Sequence, residues 1–394
     1  MADTLRGPNR GLRVLMVSDF PRNGVVVGGL ESAVQILAQA LAESPEVEAL
    51  RVMNFRSELE RDELVHVNEK LSVLHLAGQR RFALPTRAFL DFRRARRLAA
   101  EFRPDVVHGQ GTGGTGDIAI RLGYPSLVTI HGVGIFEAQL RERNNRFLGP
   151  VRVLLAKRMT EGVLRNADIV ISLSAFDKEY LNTLRTENIV SISNAVRKEF
   201  FEAEPHLENT KRIMFTGLVI VRKNVAGIVR AFKNVKEKVP DAVLDIVGPT
   251  PDKAYLQEVR DNIDPSLKES IVFHGGVNGT GLVELMNSAA VAVLFSIYEN
   301  LPCTVAEFLT LGKPVVSSKV GGLQEMITDG DNGLLVESGD EQALADRLIR
   351  LLNDDTLRVE MGRRGREIAF ERWRPERVAE ATVHAYRRAV AMRR

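Results

Sequence analysis

Cysteine is nearly missing from this sequence. A single one, Cys303, stands among 394 residues, which excludes a disulfide framework and suits a reducing compartment. Apolar runs never approach the roughly 18 residues that a membrane-spanning helix needs. The opening MADTLRGPNRGLR also lacks the apolar core of a signal peptide. Both absences predict a cytoplasmic chain. Neither sign of charge dominates: 54 Lys and Arg against 51 Asp and Glu leave a net +3 and a pI near 9.0. That balance is too mild to argue for a nucleic-acid partner. Short repeats and low-complexity tracts are absent as well. What remains, 44% hydrophobic and 27% charged residues, is the composition of a soluble globular protein. A length of 394 residues exceeds one ordinary core, so two domains are expected.

Short apolar runs alternate with helical patterns along nearly the whole chain. In the first half the predicted strands are LRVLMVS (12–18), LRVMNF (50–55), DVVHG (105–109), SLVTIH (126–131) and DIVISLS (168–174). Between the first two, GLESAVQILAQALAES (29–44) repeats Val34, Leu37, Ala38 and Leu41 at helical spacing. After NAV (194–196) the alternation restarts with KRIMFTG (211–217), AVLDIVG (242–248), SIVFHGG (270–276), VAVLFS (291–296) and KPVVSS (313–318). Strand–helix alternation predicts parallel sheets covered on both faces. The expected architecture is α/β, with two doubly wound Rossmann-like domains over residues 1–196 and 197–372. In such sheets ligands bind at the carboxyl ends of strands, so a cleft between the domains is the expected site. RKEFFEAEPHLENTK (197–211) is the candidate linker. ERWRPERVAEATVHAYRRAV (371–390) predicts a late helix with Pro375 near its first turn, and residues 373–394 are expected to pack back on the first domain.

One stretch, SIYENLPCTVAEFLTLGKPVVSS (296–318), sets Glu299 and Glu307 either side of Pro302 with seven residues between them. Spacing alone carries no meaning, because Glu179 and Glu187 are equally far apart on a segment expected to be a solvated helix. Context carries more. Pro302 suits a first helical position, where its missing N–H would have been unpaired anyway. The amides that follow then form a helix N-terminus able to receive a phosphate. Two acids beside an anion would repel it unless a cation stood nearby. FTGLVIVRKN (215–224) supplies Arg222 and Lys223 at a strand-to-helix turn.

With these pieces in order, the chain resembles the family-4 retaining glycosyltransferases of GT-B architecture. The likeness rests on the E-x(7)-E element in YENLPCTVAEFLTLGKPVVSSKVGGLQEMI and on DGDNGLLVESGD (329–340). VVGGLESAV (26–34), TIHG (129–132) and the hinge-like SNAV (193–196) extend it over most of the chain. The resemblance implies a hexosyltransferase-type enzyme that moves a sugar from a nucleotide-diphosphate sugar to an acceptor hydroxyl, in glycan, glycolipid, polysaccharide or glycosylated-metabolite biosynthesis. It further implies that Glu299 meets donor-sugar hydroxyls, Glu307 the ribose, and the amides around Asn300 and Leu301 the distal phosphate. Lys223 with Arg222 would neutralise the leaving diphosphate, Gly28 and Gly29 would let the backbone approach the same phosphate, and His131 would lie beside the transferred sugar. The resemblance also implies metal-independent chemistry with no cofactor, and the lack of a D-x-D pair where a metal-bound diphosphate would need one agrees with this. Leu218 departs from the family, which places an Arg there, and Arg222 is the candidate substitute.

Other assignments compete. GQGTGG (109–114) matches a dinucleotide fingerprint, but it is not on the first strand, and the next strand ends in His131 instead of an acid for the ribose. The loop is expected on the acceptor side. Cys303 has no neighbouring base in the sequence and is expected to be a packing residue. RRFALPTRAFLDFRRARRLAAEFR (80–103) predicts a helix from Pro85 with Ala88, Phe92, Ala95, Ala99 and Phe102 on one face and arginines around the other. Its basic face is either simply solvated or a peripheral dock for anionic lipid on the inner face of a membrane, useful to a lipid-linked acceptor. A nucleotide-sugar epimerase on the same architecture and a non-catalytic nucleotide-sugar-binding regulator remain as alternatives. The first would act on the donor without an acceptor.

Overall fold

The computed structural model describes residues 10–22, 26, 28–56, 58–77, 89–132, 149–183, 188–206 and 210–393. The chain divides into two compact units. One is built from the chain up to Gly24, from Leu30–Ser193 and from Pro375 onward, the other from Asn194–Arg374 with the short segment Val25–Gly29.

The first unit holds β1 (Leu12–Val17), β2 (Val47–Arg56), β3 (Glu63–His66), β4 (Leu71–Ala77), β5 (Val106–Gln110), β6 (Ser126–Ile130), β7 (Ile169–Ser172) and β8 (Ile189–Ser191) in one sheet ordered β3-β4-β2-β1-β5-β6-β7-β8. Every pairing is parallel except β3 with β4. The central strand explains why: Val14, Leu15, Met16 and Val17 are all fully buried, as a strand with helices on both faces requires. Helix Gly29–Glu43 covers one face through Val34, Ala38 and Leu41. The C-terminal helix Pro375–Met392 lies in the same core, with Val383, Tyr386 and Ala389 against the layer of Val14, Met16, Val106 and Leu127. On the other face Ala95, Ala99 and Phe102, from helix Phe89–Phe102, pack with Leu15, Val17 and Val107.

The second unit carries β9 (Arg212–Thr216), β10 (Val243–Val247), β11 (Ile271–Gly275), β12 (Val291–Leu294), β13 (Val315–Ser318) and β14 (Gly333–Val336), all parallel, in the order β11-β10-β9-β12-β13-β14. The order reverses between β9 and β12, the two strands whose following loops bear Arg222–Lys223 and Glu299. Helix Val225–Lys238 is held at its start by Asn224, whose side chain accepts the Gly227 N–H at 3.2 Å. It buries Ile228, Val229, Phe232 and Val235.

Several expectations need correction. The first unit ends at Ser193, not Val196, because the Val196 N–H donates to the Trp373 carbonyl at 2.9 Å and holds that turn to the second unit. At the far end the second unit runs to Arg374, not 372, since the Trp373 side chain is fully enclosed. The stretch 197–211 is not a plain linker: Lys198–Glu202 is a helix with Phe200 buried. The strand-to-helix turn that bears Arg222 and Lys223 is a short 3-10 helix of its own, Val221–Lys223, ahead of the long helix. Pro302 is the N-cap, with φ −70° and ψ 122°, and the helix starts at Cys303. Residues 80–88 of the basic segment, Val27 of the glycine loop and Glu187 of the look-alike glutamate pair lie outside the described residues.

Candidate functional site

In the second unit the site is built around a buried carboxylate. β12 runs out at Leu294, and Ser296 to Leu301 turn across its carboxyl end before helix Cys303–Thr310. Glu299 lies in that turn, 4% exposed. Its Oε1 accepts from Lys223 Nζ at 2.5 Å and from Ser296 Oγ at 2.7 Å, and its Oε2 accepts from Arg222 Nη1 at 3.0 Å. Arg222 also donates to the Tyr298 carbonyl, and the Ile297 N–H donates back to the Arg222 carbonyl at 2.8 Å. The two loops are thus stitched through both backbone and side chains. Gly321 closes the back of the turn: its φ is +50°, and a Cβ there would stand 1.8 Å from the Glu299 carbonyl oxygen.

Burial pushes Glu299 up, but Lys223, Arg222 and the Ser296 hydroxyl outweigh it and hold its carboxyl below the usual range. Lys223 is drawn down by burial, with Glu299 opposing and Arg222 adding to the fall. Two cations around one carboxylate leave one net positive charge at the mouth of the sheet.

Glu307 is different. It sits in the second turn of helix Cys303–Thr310, 6% exposed, and burial raises its pKa with only the charge of Arg197 opposing. Among the described residues its only charged partner is Arg197. Asn300 and Leu301, both buried, lie just ahead of the same helix. Cys303 receives a 3.8 Å contact from Asn194 Nδ2, and burial followed by the charge of Glu307 pushes its thiol up to about 12. It stays protonated and is no nucleophile.

In the first unit His131 follows β6 directly, half-buried, and its Nε2 lies 2.6 Å from Gln110 Oε1 at the end of β5. Burial lowers its pKa to about 4, so the ring is neutral near pH 7. Beneath it His108 is fully buried between Tyr386 and Thr129, at 2.8 and 2.7 Å. At Gly28 and Gly29, where helix Gly29–Glu43 begins, an added Cβ would meet nothing within 4 Å. Neither glycine has a positive φ, so neither packing nor conformation demands glycine there. The GQGTGG match has its own explanation: a Cβ on Gly109 would fall 2.9 Å from Gly116 Cα, so small residues let β5 lie against helix Gly114–Arg121.

Arg222, Lys223 and Glu299, predicted separately, come together in one cluster. Ser296, Gly321, Gln110 and Tyr386 were not foreseen. Ser296 carried a faint signal, a hydroxyl closing an apolar strand three residues before Glu299.

Comparison with known proteins places this geometry. The family model for glycosyl transferases group 1 matches residues 196–368, and that for glycosyltransferase family 4 matches 27–200. N-acetyl-alpha-D-glucosaminyl L-malate synthase of Bacillus anthracis is 30% identical over 173 residues, 44% of this chain and 42% of that one. The first curated relatives are matched over about half their length. Among solved structures, sucrose-phosphate synthase from Thermosynechococcus elongatus superposes with a TM-score of 0.82 at 22% identity, over 97% of this chain and 100% of that one. Anabaena HepE in complex with UDP and glucose gives 0.72 at 18%, over 95% and 98%. The fold is GT-B, and with the two models together spanning residues 27–368, the chain belongs to the family-4 glycosyltransferases.

Proposed function

We propose that this protein transfers a sugar from a nucleotide-diphosphate sugar to an acceptor hydroxyl, with retention of anomeric configuration and without a metal ion. The observation that carries the proposal is the pairing of Arg222 and Lys223 on buried Glu299 while Glu307, buried in the adjoining helix, has no hydrogen-bond donor among the described residues. The Glu307 side chain, 6% exposed and accepting no hydrogen bond from the described residues, is left to accept donors from a ligand. Two vicinal ribose hydroxyls supply them. The diphosphate takes the net positive charge of the Arg222–Lys223–Glu299 cluster and the helix amides that follow Asn300 and Leu301. Glu299, held ionised, accepts from donor-sugar hydroxyls. The open backbone at Gly28 and Gly29 admits the phosphate, and neutral His131 accepts a hydrogen bond from the sugar.

The chemistry follows from this set. The bond between the anomeric carbon and the diphosphate oxygen breaks, and its electron pair leaves on the diphosphate, where Lys223 and Arg222 stabilise it. The acceptor oxygen forms the new bond on the same face, and its proton passes to the departing phosphate. Because the cations are already fixed by Glu299, little reorganisation accompanies charge development. Arg222 fills the role left vacant by Leu218.

The acceptor is assigned to the first unit, and a lipid-linked one would be served by the basic helix Phe89–Phe102. There Arg93, Arg96 and Arg97 are exposed, and no described helix is long and apolar enough to cross a membrane. A cytoplasmic protein docking peripherally on anionic lipid fits this pattern. The testing experiment is incubation with a panel of nucleotide sugars, scored by thermal shift. A bound donor at a hundredfold over its Kd stabilises by about 2.7 kcal/mol. No shift with any nucleotide sugar would contradict the proposal, and conversion of donor without acceptor would indicate an epimerase.

A further inference from the structure

Beneath His131 lies a chain of polar side chains that the proposed chemistry does not use. Gln110 is 1% exposed, Thr129 3%, and His108 and Tyr386 are fully enclosed. Buried polar groups of this kind are retained with every partner satisfied or they destabilise the core. Here they are satisfied in a particular way. His108 spends both ring nitrogens, Nδ1 on the Tyr386 hydroxyl and Nε2 on the Thr129 hydroxyl. The Gln110 amide nitrogen lies 3.3–3.4 Å from those same two nitrogens and 3.8 Å from the Met16 sulfur. Since both His108 nitrogens are committed elsewhere, that amide group meets the electron-rich imidazole and a sulfur, which favours N–H hydrogens there over a carbonyl oxygen. The amide is therefore oriented with its oxygen toward His131. An oxygen acceptor 2.6 Å from His131 Nε2 requires that nitrogen to carry the proton.

We infer that Gln110 is a positioning residue for His131: it accepts the Nε2–H, fixes the neutral Nε2–H tautomer, and leaves Nδ1 bare to accept a sugar hydroxyl. The inference rests on the proposed function only for the sugar; the tautomer stands on the geometry of the first unit. His108, itself held by Thr129, meets the amide nitrogen, and Tyr386 reaches His108 from the C-terminal helix, 278 residues further along. The last helix of the chain thus supports the orientation of a ring near the end of β6. Nearby titratable groups are His108 and Tyr386; burial pushes the former down to about 3 and the latter up, so both are neutral.

Long-range proton–nitrogen NMR of the full chain labelled in its histidines, recorded without donor, reads the tautomer directly. The expected wild-type spectrum shows His131 as neutral Nε2–H at pH 7. Gln110→Met, similar in size but with no acceptor oxygen, should yield mixed tautomers and at least a ~10-fold fall in kcat with little change in donor KM. Gln110→Glu keeps the acceptor and adds charge. It should retain the Nε2 proton, raise the pKa of His131, and recover turnover relative to Gln110→Met. A wild-type Nδ1–H ring, or Gln110→Met with an unchanged tautomer and full turnover, would overturn the inference. Should Gln110→Met not fold, the wild-type and Gln110→Glu spectra still decide it. His131→Ala with undiminished transfer would overturn the sugar contact while leaving the tautomer assignment standing.

Discussion

Lys223 Nζ and Glu299 Oε1 are 2.5 Å apart, both side chains buried, on loops that follow two adjacent strands of the second sheet. The pair does two things at once. It favours the charged lysine where burial opposes charge, and it keeps a carboxylate ionised beside the proposed diphosphate site. In the proposed chemistry Lys223 meets negative charge that grows as the donor bond breaks, so Lys223→Ala should lower turnover by about 10²–10³-fold. Arg222→Ala should be nearly as severe. Steady-state kinetics check both, and an Arg222 variant with wild-type kinetics would show that this arginine does not replace the one missing at Leu218.

Glu307 should govern a pH dependence of donor binding. Its pKa is raised by burial, so the carboxyl begins to protonate at a higher pH than an ordinary glutamate, whose pKa is about 4.3. Only the ionised form accepts two ribose hydroxyls. Donor KM should therefore rise as pH falls through the raised pKa, with a smaller effect on kcat. Glu307→Gln should bind donor weakly but without this dependence. Stability has the opposite sign: the contribution from proton uptake by folded Glu307 is present at low pH and lost as pH rises through the same range. A donor KM independent of pH in the wild type would contradict the ribose assignment.

His108 should make the first unit acid-sensitive. Its folded pKa of about 3 lies below the ordinary 6.5, so the unfolded chain takes up the proton first. The stability is full above pH 6.5 and declines as pH falls toward 3, by about 1.4 kcal/mol per pH unit for this one group. The advantage of wild type over His108→Gln in urea unfolding should narrow by that amount per unit. Tyr386→Phe, which removes the hydroxyl on His108 Nδ1, should destabilise by about 1–3 kcal/mol. Equal slopes for wild type and His108→Gln would show that the ring is hydrated.

The glutamate–cation cluster could be anticipated because charge logic is local. An acid pair around a helix start asks for a cation, and a strand-to-helix turn bearing Arg222 and Lys223 supplies one. Continuous apolar runs make most of the parallel sheets legible, but not the strands over LSVLHLA (71–77), Ile189–Ser191 and GLLV (333–336). β3 gives no signal because Leu64 and Val65 are both exposed and no face of it alternates cleanly. Tyr386 under His108 could not be read at all. A hydrogen bond between residues 278 apart leaves no periodicity, and only packing of the last helix into the first core brings them together.

Membrane docking through helix Phe89–Phe102 should depend on fewer arginines than its sequence displays. Arg94 donates to the Ala77 carbonyl and pairs with Asp62, so it belongs to the fold. Replacing Arg93, Arg96 and Arg97 by Gln should abolish co-sedimentation with anionic vesicles and leave the melting temperature near wild type, since exposed charges contribute little stability. Binding of the wild type should weaken with salt, because the attraction is screened beyond roughly 8 Å at physiological ionic strength. Absence of sedimentation at low salt would favour a soluble acceptor.

In the proposed reaction, amides and the Arg222–Lys223–Glu299 cluster, with no metal ion, carry a transfer that retains configuration. The most direct measurement is NMR of the anomeric proton in the first product formed from an α-linked nucleotide sugar, with excess EDTA present. An α-linked product, formed at the same rate as without chelator, is the predicted result. A β-linked product, or activity lost on chelation and restored by manganese, would contradict it.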